Sequence, residues 1–133
     1  MICLHKNDNG RGLVPDSVVL PRNAGAAYAS GTALILSGGV AIAATGANKP
    51  QYICYSNNEA NEGSELLAYA VTPSMRFEAP ITAYSASAKK VGAKVTLSAD
   101  GKGVTATTTD GVATIVDLQG AAKVGDKIII SFQ

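Results

Sequence analysis

The chain has 133 residues, of which 47% are hydrophobic and 16% are charged, and its eleven Lys and Arg residues nearly balance ten Asp and Glu. This length suits one domain, and the apolar content is higher than a disordered chain carries. The net charge of +1 provides no basic excess for contacting phosphates, so we expect no nucleic acid as a partner.

The first 23 residues predict an extended N-terminal arm. They contain one short strand-like piece, residues 18–20, between prolines at positions 15 and 21 that keep the backbone extended. The segment lacks the apolar core and cleavage site of a secretory signal, so we expect the chain to be made in the cytosol. We therefore divide the chain into an arm, residues 1–23, and a β-domain, residues 24–133.

Residues 31–46, with the sequence GTALILSGGVAIAATG, form the longest apolar stretch. Gly38 and Gly39 interrupt it, so the uninterrupted run is too short for a membrane helix and we expect no membrane partner. Adjacent glycines supply the positive φ that a tight hairpin turn needs, and they are costly inside a helix. The stretch therefore predicts a hairpin with strands at residues 33–37 and 40–45.

Apolar or alternating stretches predict further strands in the rest of the chain. These strands are expected at residues 51–55, 66–71, 75–81, 95–98, 112–118 and 127–132. Asp-Gly pairs at 100–101 and 110–111 mark turns. Pro73 and Pro80 should confine the strand at 75–81 to a sheet edge or limit its length. Residues 83–91 fit either a short helix or a loop. Turn signals spaced by 8–12 residues are typical of a small all-β barrel or sandwich built of hairpins.

The residue types offer no catalytic centre. His5 is the only histidine, and it lies beside Cys3 with no third group to orient a nucleophile and base. One His and two distant Cys cannot form a zinc site. The glycine-rich stretches follow neither the phosphate-loop nor the dinucleotide spacing. We therefore expect no enzyme, no cofactor and no small-molecule substrate. Cys3 and Cys54 are expected to be reduced thiols, with a single disulfide between them as the alternative.

The polar loop at residues 57–65 is the best candidate for a metal site, because its Asn and Glu side chains alternate. A calcium loop has its glycine at the sixth position, whereas Gly63 is at the seventh. We therefore expect a solvated loop and no metal. Asp100, Asp110 and Asp126 are adjacent to Gly or Lys in turn segments, where Asp forms turns and does not act as a general base.

The order of the segments GTALILSGG, KPQYICY, MRFEAPI and VGDK, within residues 24–133, resembles the small β-barrel decoration (cement) proteins of tailed bacteriophage capsids. The resemblance implies a non-enzymatic virion protein, made in the cytoplasm of the bacterial host and placed on the outer capsid surface. It also implies binding to the major capsid protein and a homo-oligomer, with a trimer favoured.

The arm, or an exposed edge strand, is the expected partner-binding element. Its proposed contact residues are Leu13, Val14, Val18, Val19 and Leu20. The arm could equally pack on its own domain. Two other function classes stay open: a bacterial surface or adhesive β-sandwich module, and an enzyme or ligand-binding barrel that uses the loop at residues 57–65.

Overall fold

The computed structural model describes residues 1–7, 15–22, 26–55, 65–86 and 88–132. Within these ranges the chain forms strands and no helix, so no helix among them could cross a membrane. The strands are β1 (Cys3–Asn7), β2 (Val18–Pro21), β3 (Ala33–Ser37), β4 (Val40–Ala43), β5 (Tyr52–Cys54), β6 (Glu65–Ala70), β7 (Met75–Pro80), β8 (Lys94–Val95), β9 (Ala113–Asp117) and β10 (Lys127–Ser131).

The predicted hairpin at residues 31–46 is confirmed. Strands β3 and β4 pair in antiparallel register, with Ser37 opposite Val40 on either side of the turn. Gly38 and Gly39 form that turn with φ values of +60° and +83°, a backbone region that most other residues avoid. The described residues of the ambiguous segment at 83–91 form turns and bends.

The strands form two antiparallel five-stranded sheets in a sandwich-like single domain. Sheet 1 has the order β1-β7-β10-β9-β8, and sheet 2 has the order β2-β6-β5-β3-β4. The predicted all-β fold class is confirmed. Of the two alternatives predicted from Pro73 and Pro80, the edge position is not observed, because β7 lies between β1 and β10. Pro73 precedes this strand and Pro80 is its last residue, so the two prolines limit its length without interrupting the ladder.

Each sheet curls back on itself. In sheet 2, a parallel bridge between Arg22, next to β2, and Ala41 of β4 connects the two edges of the sheet. In sheet 1, Val104 forms bridges with both Ile81, next to β7, and Leu97, beyond β8. The architecture therefore combines the two layers of a sandwich with the curvature of small barrels.

The described parts of the N-terminal segment are extended, as predicted, but they do not lie apart from the domain. Strand β1 pairs with β7 in sheet 1, and β2 pairs with β6 in sheet 2. Ile2 and Leu20 are buried, with 1% and 5% of their surfaces exposed. These residues therefore pack on their own chain, because they bury apolar side chains and complete the backbone pairing of both sheets.

Buried apolar side chains form two clusters. The main cluster lies between the sheets and contains the large side chains Phe77, Phe132, Ile53 and Ile130. The inner cluster lies on the other face of sheet 2. It consists of Leu20, Leu34, Ala41, Cys54, Leu66 and Ala68. Three strands of sheet 2, β3, β5 and β6, therefore bury side chains on both of their faces.

Candidate interaction surface

The five residues predicted to contact a partner have different environments. Leu13 and Val14 lie outside the described residues. Leu20 belongs to the inner cluster, and Val18 packs against it partly buried. Val19 points to the opposite face of β2, because successive side chains alternate along a strand, and 56% of its surface is exposed. Of the three described residues, Val19 is thus the one whose side chain is free to meet a partner.

Val19 belongs to a row of exposed apolar side chains that crosses three neighbouring strands. Leu67 of β6 lies directly opposite Val19, with 43% of its surface exposed. The backbone amide of Tyr55, just after β5, donates a hydrogen bond of 2.9 Å to the carbonyl oxygen of Leu67. Tyr55 is 39% exposed. We call Val19, Leu67 and Tyr55 the apolar row.

A cleft of about 210 Å³ adjoins the apolar row at Tyr55. It is lined by Met1, Ile2, Cys3, Leu4, Pro15, Ser30, Gly31, Cys54, Tyr55 and Tyr69. Strand β1 and the segment before β3 are held together at this cleft, because the Ile2 amide donates to the carbonyl oxygen of Gly31 at 3.0 Å. The Ser30 hydroxyl donates to the carbonyl oxygen of Tyr55 at 3.1 Å, which fixes the backbone at the junction of row and cleft.

Aromatic rings connect the cleft to the main cluster. The Tyr55 and Tyr69 rings meet edge to face with centroids 5.8 Å apart, and Tyr69 stacks on Phe77 at 6.5 Å. The centroids of the Phe77 and Phe132 rings are 5.3 Å apart. Burial, followed by electrostatic interactions with Cys3 and Tyr55, raises the pKa of Tyr69. Tyr69 is therefore a neutral phenol at the base of the cleft, and the ring contacts make this base rigid.

The next candidates from the sequence are the side chains with reactive or metal-binding groups. Among those residues, no group of three or more His, Cys, Asp or Glu side chains could hold a metal ion. His5 is exposed on β1. Cys3 and Cys54 are reduced thiols that form no disulfide with each other, as expected. Cys54 belongs to the inner cluster, and its sulfur lies 4.0 Å from the carbonyl oxygen of Tyr28, which packs against that cluster.

The acidic residues at the turns act as predicted. Asp100 accepts hydrogen bonds from the Ser98 hydroxyl at 2.6 Å and the Lys102 amide at 3.0 Å, and these bonds lower its pKa. Asp126 accepts from the amides of Ala122 and Lys123, which also lowers its pKa. Both carboxylates stabilise turns and are poor proton acceptors. Residues 57–64 of the polar loop lie outside the described residues, and Glu65 begins β6.

A second concavity lies at one end of sheet 1. Its volume is about 20 Å³, and Tyr84 and Lys89 are among the residues that line it. The Lys89 ammonium lies 5.6 Å from the centre of the Tyr84 ring. A cavity of this size has room for about one water molecule, so it offers no site for a larger ligand.

Sequence reasoning found Val19 but missed Leu67 and Tyr55. The β6 sequence ELLAYA is apolar on both faces, since Leu66 and Ala68 alternate with Leu67 and Tyr69. The alternation of side chains therefore could not predict which of the two faces has an exposed apolar side chain. One signal was available: Glu65 stands on the same face as Leu67 and predicts solvent at that end of the strand.

The comparisons with known proteins concern the fold. No protein-family model and no curated protein sequence matches this chain. A solved structure, the N base of the head fiber gp8.5 in bacteriophage phi29, resembles it with a TM-score of 0.58. The match covers 89% of this chain and 95% of the phage chain at 14% sequence identity. The likeness therefore extends over nearly the whole domain of both proteins, and it is a likeness of fold.

Proposed function

We propose that this chain is a structural protein of a bacteriophage virion, without enzymatic activity. The observation that carries the proposal is the fold match to the phi29 head fiber base over 89% of the chain. The segment order within residues 24–133 gives independent support, because it resembles phage capsid decoration proteins. A fold alone does not specify a function, so the proposal rests on the agreement of these two observations.

The finer proposal is that the chain decorates the outer surface of the capsid by binding the major capsid protein, as a homo-oligomer with a trimer favoured. A protein that binds only the assembled shell stabilises it by mass action, so no reactive group is required. A specific contact of this kind buries about 1,200–2,000 Å² in total and is centred on apolar anchors. The exposed apolar row supplies such anchors on this chain.

The test uses particles of the phage or prophage that encodes the chain, prepared with the gene intact and with the gene deleted. We expect the protein in purified intact particles by mass spectrometry, and additional density on the outer capsid face by electron cryo-microscopy. We also expect deleted particles to release their contents at a lower temperature and to recover when the purified protein is added.

Two results would contradict the proposal. Purified particles could contain no copy of the protein. Alternatively, cell fractionation could find the protein on the bacterial surface, which would favour the adhesive β-sandwich module instead.

A further inference from the structure

The apolar row and the cleft form one continuous surface, because Tyr55 belongs to both. Two of its side chains, Val19 and Leu67, are about half exposed although they lie on strands. Exposed apolar residues that stand singly are normal on a protein surface, whereas adjacent ones beside a cleft indicate a binding site.

The shape of this surface selects the kind of occupant. The cleft is concave and has a volume of about 210 Å³, so a flat partner surface would leave it unfilled. An occupant that fills it must have a protruding side chain. An extended segment that presents a bulky apolar side chain to the cleft, with smaller apolar contacts along the row, has this shape.

The charges around the surface define the occupant further. Among the described residues, none that lines the cleft has an Asp, Glu, Lys or Arg side chain, and the three side chains of the row are uncharged. Glu65 is exposed two residues before Leu67 on the same face of β6. An apolar segment with a Lys or Arg close to its end would therefore be complementary to both parts of the surface.

We infer that the apolar row and cleft receive an extended, uncharged apolar segment of the major capsid protein, with a neighbouring Lys or Arg that pairs with Glu65. This inference rests on the proposed function, and it names the surface and the chemistry of the contact. Leu67 and Tyr55 are the central anchors, since they lie between Val19 and the cleft.

The experiment adds purified protein to capsids whose own copy of the gene is deleted, and measures binding by co-sedimentation. Leu67→Asp and Val19→Asp place a charge in the apolar row. Val91→Asp and Val124→Asp are matched controls, because these valines are 66% and 60% exposed and line neither the row nor the cleft. We expect the row variants to bind at least about tenfold more weakly and the controls to bind within about twofold of the wild type.

A charge-reversal variant tests the proposed ion pair of Glu65. Glu65→Lys should weaken binding by about two- to fivefold, with a smaller loss at high salt, because an exposed ion pair contributes little and is screened. Thermal unfolding of every variant checks the fold, and Leu67→Ser replaces Leu67→Asp if the charged variant does not fold. Hydrogen exchange of the wild type should show slower exchange in residues 52–55 and 65–70 after it binds the capsid.

The outcomes separate this inference from the proposed function. If the wild type does not bind capsids, the proposed function fails and the inference fails with it. If the wild type binds and the row variants bind equally well, the inference alone is overturned. It is also overturned if light scattering shows that the row variants dissociate an oligomer in parallel with the loss of binding, because the occupant is then a second copy of this chain.

Discussion

The two faces of sheet 2 bury apolar side chains in different ways. The face toward sheet 1 contributes to the main cluster, where aromatic rings from both sheets meet, whereas the buried residues of the inner cluster are Leu, Ala and Cys. Two packed sheets lie about 10 Å apart and leave room for Phe and Ile. The concave side of a curled sheet is narrower, and the residues buried there are without aromatic rings.

Truncating one large side chain in each cluster should lower the free energy of unfolding more than the other substitutions proposed below. Phe77→Ala should lower the free energy of unfolding by about 3–5 kcal/mol, because Phe77 is fully buried between the rings of Tyr69 and Phe132. Leu34→Ala in the inner cluster should cost less within the range of about 2–5 kcal/mol, since fewer buried carbon atoms are lost. Urea unfolding measures both.

The double variant sharpens this comparison. If the clusters are energetically separate, the two losses should add within about 0.5 kcal/mol. An interaction energy well above that value, or a larger loss at Leu34 than at Phe77, would show that sheet 2 couples its two faces and that the division into clusters is wrong.

Substitutions of one glycine in each sheet should also lower stability by different amounts, and these losses should be smaller than those of the core substitutions. In sheet 1, a Cβ added to Gly111 would lie 2.5 Å from the carbonyl oxygen of Lys94, so Gly111→Ala should cost about 1–3 kcal/mol through steric overlap. In sheet 2, Gly38 has open space around it and a φ of +60°. Gly38→Asn should therefore cost less than about 1 kcal/mol, because Asn adopts this backbone region at little cost.

Thermal unfolding followed by circular dichroism measures the two glycine variants. A loss at Gly38 that exceeds the loss at Gly111 would mean that the close approach of the Gly111 backbone to Lys94 is relieved without cost.

The smallest expected effect on stability is at the loop that contains Asp100 and Gly101, which connects sheet 1 to sheet 2 by a hydrogen bond. The carbonyl oxygen of Gly101 accepts a hydrogen bond of 2.8 Å from the Ala33 amide, and Asp100 orders this loop. The folded-state pKa of Asp100 is below its ordinary value of 3.8. Its contribution to stability is therefore present above the ordinary value and is lost as the pH falls through the lower folded-state pKa.

Asp100→Asn should thus make the melting temperature less dependent on pH below about 5, with a small loss of stability at neutral pH. Melting curves between pH 7 and the acid range measure this change. If the variant and the wild type lose stability in parallel on acidification, the Asp100 carboxylate does not contribute to the acid dependence.

The fold was more predictable than the candidate surface. Strand positions follow from local rules, such as the glycine pair at the β3–β4 turn and the alternation in β7, where Met75, Phe77 and Ala79 are buried. The surface combines residues from β2, β6 and the end of β5, which are brought together by pairing between distant parts of the chain. No local pattern encodes that pairing, so Val19 was predicted without its neighbours.

The sequence by itself determined the all-β class, the turns and the positions of most strands to within a few residues, because φ preferences and side-chain alternation act over short distances along the chain. The tertiary structure alone decided the position of β7 inside sheet 1 and the entry of β1 and β2 into the two sheets. It also decided that Leu67 is exposed while Tyr69, on the same face of β6, is buried. The physical reason is that both faces of β6 are apolar, so only the packing of the rest of the chain determines which side chains are covered.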